Sequence, residues 1–317
     1  MRWLTPRTMR LWQDVGILGY GPDELPDPAW RGRNDGRNGA FTDTLVDSGL
    51  RLKECGCLLT IEVPEALTSG LYPEGTVAGA IAKRRERMFY TSISSVEGMR
   101  TYMETSRRAA VRRARRAGRY DRMPGRRVVT AVSPDRKLSW VDASGHHGSG
   151  SLSTITAWER ARLLVDGPDG LEPLWLWLTE TGMPLDYHSW EKVFSAATER
   201  CERLGKPIRC TPKVCRHSFA LKMLVTIQLA LDRRFGLNQE ERDFTRKLYG
   251  DSFPLVRDLL GHRSEQTTRQ IYGEPLNGVR LRQFLNGSED LDQILARVAA
   301  ADRRVMDVAP IAGELDG

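Results

Sequence analysis

Apolar positions recur at helical spacing through most of the chain and at strand spacing in a few short stretches. Phe41, Leu45, Val46 and Leu50 mark one helix, which Ser48-Gly49 interrupts just before Arg51. The segments LLTIEV (58–63), GTVAGAI (75–81) and RMFYTS (87–92) predict short strands, the last two as a hairpin around the basic AKRRE. From Ser94 the pattern turns helical and runs into an arginine-rich stretch. Thr156 and Glu159 fit a capping box ahead of WERARLL, and residues 189–204 form an amphipathic helix stopped by Gly205. Thr211 and Pro212 are a strong N-cap and first-turn pair, opening a helix predicted to reach about Leu231. Asn238 and Glu241 suggest a further helix start, and Gly261 and Gly273 further stops. Leu291, Ile294, Leu295 and Val298 form an apolar stripe on a last helix. The expected class is mainly α with a small antiparallel β-sheet, an α+β fold.

Two segments read as irregular. Residues 20–39, YGPDELPDPAWRGRNDGRNG, have the composition of a linker. Residues 128–151, ending in SGHHGSGS, read as a flexible excursion, with His146 and His147 as loop residues rather than ligands.

With 317 residues, 40% of them hydrophobic, the chain has the length and the apolar content for a buried core. Its net charge of +7 favours an anionic partner such as nucleic acid, or else records a basic surface. The five cysteines are odd in number and lack C-x-x-C pairs, which indicates neither a disulfide framework nor a metal site and suggests a reducing compartment. No signal-peptide pattern and no run of eighteen apolar residues occurs, so a soluble cytoplasmic protein is expected, with no membrane partner.

Residues 107–127 carry ten arginines against one acid, Asp121. Such a run is either a solvated or disordered stretch or a surface whose guanidinium groups lie along phosphates, and the composition leaves both open. In TPKVCRHSFALKM (211–223), Lys213, Arg216 and His217 fall on or beside the azimuth of the stripe Phe219, Ala220, Met223, Leu224 and Ile227. They are therefore expected to face the core. Lys213 and Arg216 also lie at the positive end of the helix dipole, which disfavours each by roughly 0.3–1 kcal/mol unless an anion is near. A bound phosphate or carboxylates of the same chain would each answer that need.

Four segments carry a family resemblance. DSGLRLKE (47–54) resembles the first motif of the tyrosine recombinases, the phage-integrase family, a turn of the form T/S-G-L-R-x-x-E. TPKVCRHSFA resembles the family's H/K-x-x-R-H box, and LLGHRSEQTTRQIY (259–272) resembles its closing L-G-H…T-T…Y. GAIAKRRERMFYTS resembles the family's lysine hairpin. The four occur in the family's order, from about Arg37 to Pro275.

The resemblance implies a recombinase catalytic domain that cleaves and rejoins DNA through a 3′-phosphotyrosyl intermediate. Tyr272 is then the nucleophile, Arg51 and Arg216 clamp the phosphorane, His262 bonds the same oxygens and Lys83 protonates the leaving 5′-oxygen. Lys213 stands where most members have histidine, as a proton acceptor or an electrostatic contact, and His217 is a packing residue. Arg84, Arg85, Arg112, Arg113, Arg115 and Arg116 are the candidate DNA contacts. No cofactor or metal is implied, because each broken bond is stored as a phosphotyrosine of similar energy. The implied partners are double-stranded DNA attachment sites and a homo-tetramer on them, the scheme admits an accessory DNA-bending or directionality factor, and the chain is expected at the nucleoid.

The implied division is 1–36 as a reduced or truncated core-binding region, 37–285 as the catalytic domain with insertions near 120–170 and 232–252, and 286–317 as a C-terminal helix and tail. The short front end and the insertions depart from the family. A decayed recombinase acting as a DNA-binding or regulatory protein and a type IB topoisomerase-like enzyme are the alternatives.

Overall fold

The structure, a computed structural model, describes residues 3–65, 72–82, 85–235, 252–261, 266 and 291–308. The fold is α+β. Helix α1 (Pro6–Gln13) opens with Pro6 in its first turn and Thr5 as its cap, and α2 (Asp35–Ser48) ends where Gly49 turns left-handed, at φ 61°. The short α3 (Leu52–Gly56) follows at once. Helix α4 (Ile93–Tyr102) passes through a π turn at Met103–Arg107 into α5 (Arg108–Arg116). Beyond them lie α6 (Ala157–Arg160), α7 (Ser189–Arg203), α8 (Pro212–Phe235), α9 (Ser252–Leu260) and α10 (Leu291–Ala301).

The terminal strands β1 (Trp3–Leu4) and β9 (Val305–Met306) pair in parallel. Strands β2 (Glu74–Val77) and β3 (Arg87–Tyr90) form the expected antiparallel hairpin, with Val77 opposite Arg87. LLTIEV, expected as a strand, is instead a single bridge from Leu59 to Trp175 followed by a 3-10 turn at Thr60–Glu62.

The largest difference from expectation lies at residues 128–151, which are strands and not a flexible excursion. β4 (Arg127–Val132), β5 (Lys137–Asp142), β6 (His147–Ser151), β7 (Leu163–Gly167) and β8 (Gly170–Pro173) make a five-stranded sheet in the order β6-β5-β4-β7-β8. Only β4 and β7 run parallel. Two of the glycines that suggest flexibility, Gly148 and Gly150, pack on Trp140: Gly148 faces it across the ladder, and a Cβ there would lie 2.6 Å from the indole nitrogen. Arg160 braces the sheet from inside, meeting Glu62 through two arms at 2.6 and 3.0 Å and donating to the carbonyls of Cys57, Leu152 and Ile155. A buried pair so fully bonded avoids the cost of stranded charge.

Aromatic rings fill the main core. Phe41 stacks on Trp190 at 3.5 Å, and Trp12 stacks on Phe194. A second apolar cluster joins Phe219, Leu221 and Leu224 of α8 to Val256 and Leu260 of α9 and to Ile294, Leu295 and Val298 of α10. The apolar stripe of the last helix is thus covered by its own chain. Trp3 and Val305 close the same cluster, so the N-terminal segment is packed against α8. Among the described residues no helix is long and apolar enough to cross a membrane.

Candidate functional site

Three arginines from distant parts of the chain meet around one buried carboxylate, Glu54. The turn at Gly49 brings Arg51 to the cap of α3, and Glu54, three residues on, reaches back to it. One carboxylate oxygen, Oε1, accepts from Arg51 Nη1 at 2.6 Å. The other, Oε2, accepts from the Arg51 amide at 2.8 Å and from Arg87 Nη2 at 2.7 Å. Burial pushes the Glu54 carboxyl upward, but Arg87, Arg51, the Arg51 amide and Arg216 outweigh it and hold the group below the usual carboxylate range. Glu54 is therefore an anion fixed among cations.

The same arginines cap the end of α9. Leu259 gives its carbonyl to Arg87 at 3.0 Å, Leu260 gives its carbonyl to Arg216, and Gly261 gives its carbonyl to Arg51 at 3.4 Å. A helix C-terminus leaves such carbonyls without intrahelical donors and carries partial negative charge, so cations are favoured there. Arg216 donates its other arm to the carbonyl of Gly49 at 2.5 Å. The segments 49–54, 216 and 259–261 are thus locked into one unit with Arg87; counting Arg51, Arg87, Arg216 and Glu54 among the described residues, the cluster carries a charge of +2.

An open depression of about 930 Å³ lies beside this unit, lined by Arg51, Lys213, Arg216 and His217, with Thr211 and Arg209 at its edge. Lys213 does not face the core as the wheel suggests; it is exposed, because the first turn of α8 projects past the packed stripe. Arg216 and His217 are buried as expected. Burial, then the charges of Lys213 and Arg216, push the His217 imidazole down to about 4. It is neutral near pH 7 and ill-suited to hold a proton there.

Lys83, Arg84, His262 and Tyr272 lie outside the described residues. Arg85 is exposed beside a groove of about 510 Å³ shared with Arg87, Tyr90, Leu255 and Gly261. The α5 arginines contribute to neither opening. Arg112, Arg113 and Arg116 are exposed, while Arg115 donates to the carbonyls of Leu171 and Gly170 and Arg113 to that of Glu180. These contacts and the ion pairs from Arg115 to Glu172 and Asp169 offset repulsion along the helix, whose Ala110, Val111 and Ala114 are buried.

Arg87 and Glu54 are residues of this cluster to which the motif spacings give no role. A signal for Arg87 is present: in RMFY it shares a strand face with Phe89, which is buried, and a charge on a buried face requires a partner.

No protein-family model matches the chain, and no curated protein matches it. Among solved structures it is similar to XerA recombinase, with 14% identity and a TM-score of 0.42 over 86% of this chain and 58% of that one. It is also similar to XerH site-specific recombinase bound to a palindromic difH substrate in a post-cleavage complex, with 15% identity and a TM-score of 0.45 over 89% and 52% of the two chains. The XerH pre-cleavage complex with difH gives 13% identity and a TM-score of 0.42 over 95% and 54%. The matches span little more than half the length of these chains.

Proposed function

We propose that the chain is a DNA-breaking and rejoining enzyme of the tyrosine recombinase type, acting on double-stranded DNA. The observation that carries this reading is the joining of three motif segments, 49–54, 216 and 259–261, in one arginine cluster beside an open depression. His262 follows Gly261 directly in sequence, and Tyr272 lies ten positions further on.

In this scheme the phenol oxygen of Tyr272 attacks phosphorus and its proton passes to an acceptor, for which Lys213 is the candidate. A phenol with a pKa of about 10 needs such help, or a strong positive field, at neutral pH. The bond to the 5′-oxygen breaks, and Lys83 supplies the proton that makes it a hydroxyl. Charge gathering on the non-bridging oxygens is met by N–H donors of Arg51 and Arg216, which stay protonated throughout. Rejoining reverses each step with a 5′-hydroxyl as nucleophile.

The test is incubation with a pool of nicked duplexes in EDTA, followed by a denaturing gel. A covalent adduct that disappears in Tyr272→Phe is expected. A wild-type chain that binds duplex DNA yet forms no adduct on any member of the pool is instead a DNA-binding protein without this chemistry. A two-site synapsis assay then separates strand exchange from relaxation of supercoils.

A further inference from the structure

We infer that Arg87 is a positioning residue that keeps Arg51 able to engage a phosphate, an inference that rests on the reading just given. Its own side chain is only 8% exposed and is committed to Glu54 Oε2 and to the carbonyls of Leu259 and Met88. Arg87 therefore does not reach a substrate; its effect passes through Glu54.

A buried carboxylate beside a lone arginine settles into two parallel N–H···O bonds, the strongest arrangement that pair has. Here Arg87 occupies Oε2, so Arg51 meets the carboxylate through a single guanidinium arm, and its second arm makes only a 3.4 Å contact with Gly261. Removing Arg87 would free Oε2 to draw in that second arm, and the cluster's net charge would fall from +2 to +1. Arg51 would then be held through both arms by the cluster's own glutamate.

The stem of Arg87 also sets the end of α9. Gly261 is left-handed, at φ 63°, and a Cβ there would lie 2.5 Å from Arg87 Cδ. One side chain from the hairpin strand thus gauges the positions of the first and last motif segments. Its place on β3 further ties the β2–β3 pairing to the cluster.

The experiment measures inorganic phosphate binding at low ionic strength in the wild-type chain and in Arg87→Gln, Arg87→Lys, Glu54→Gln and Glu54→Gln/Arg87→Gln, with far-ultraviolet circular dichroism as the folding check. Counting charges gives +2 for the double variant, as in the native cluster. Arg87→Gln should bind phosphate roughly tenfold more weakly, the lysine variant should recover most of that loss, and the double variant should return to within about threefold of wild type. Wild-type affinity in Arg87→Gln would overturn the inference, and so would a double variant as weak as the single one. The same variants are then scored for adduct formation. If phosphate binding follows the expected order but no variant, wild type included, forms a Tyr272 adduct, the recombinase reading fails and the positioning role stands.

Discussion

Arg216 and Gly49, 167 positions apart in sequence, are joined by a hydrogen bond from a guanidinium arm to a backbone carbonyl. The bond fixes the start of α8 against the turn that presents Arg51. Because the acceptor is main chain, only the geometry of the turn can displace it.

Gly49 has a φ of 61°, and a Cβ there would lie 2.3 Å from a ring carbon of Phe219. Gly49→Ala should therefore cost roughly 1–3 kcal/mol and lower the thermal midpoint, with loss of phosphate binding as Arg51 shifts. Gly98, inside α4, has only ordinary contacts near its Cβ position. Gly98→Ala is the control and should raise stability by about 0.5–1 kcal/mol. Paired thermal melts check both.

Glu54→Ala removes the carboxylate that Arg51 and Arg87 share and leaves buried cations behind. A loss of about 3–5 kcal/mol is expected in denaturant titration. The carboxyl is held below its ordinary range in the folded chain, so its contribution is complete above the unfolded value and disappears as pH falls through the folded one. Glu54→Gln should accordingly flatten the acid limb of the stability profile.

His217 gives the opposite-looking case with the same slope. Its folded value is about 4, against an ordinary value of 6.5, so the unfolded chain takes up its proton first as pH falls. Stability is fully present above about pH 6.5 and is lost progressively down to about 4, by an amount on the order of 2 kcal/mol. His217→Asn should remove that slope in melts run across the window. In cleavage assays Lys213→Ala should do more damage than His217→Ala; the reverse ranking would move the proton-acceptor role to His217.

Arg112 and Arg116 are exposed, whereas Arg115 is held by the carbonyls of Gly170 and Leu171 on β8. If α5 follows the DNA backbone, changing Arg112 and Arg116 to Gln should reduce the salt slope of duplex binding by about 2. Arg115→Gln should lower the thermal midpoint instead. An unchanged slope in the double variant would remove α5 from the DNA-binding surface.

Local rules made much of the fold legible in the residues. The caps at Thr156 and Thr211, the stop at Gly205 and the interruption at Gly49 all depend on neighbours within a few positions. The sheet at 127–173 was hidden because its glycines read as loop composition, while their reason, Trp140, lies across a strand pairing that no local window spans. The site divides in the same way. Arg51 and Arg216 stand in recognisable spacings, but Glu54 and Arg87 meet across 33 positions, and nothing short-range names a charge's distant partner.

The pairing of Trp3–Leu4 with Val305–Met306 joins the two ends of the described chain in one packed unit. Trp3 and Val305 also share the cluster that α8 and α10 form. Opening of that unit would release both ends together, so amide hydrogens at residues 3–4 and 305–306 should exchange at a common rate despite some three hundred residues between them. The first turns of α8, with Arg216 among them, would lose a neighbour on each such opening.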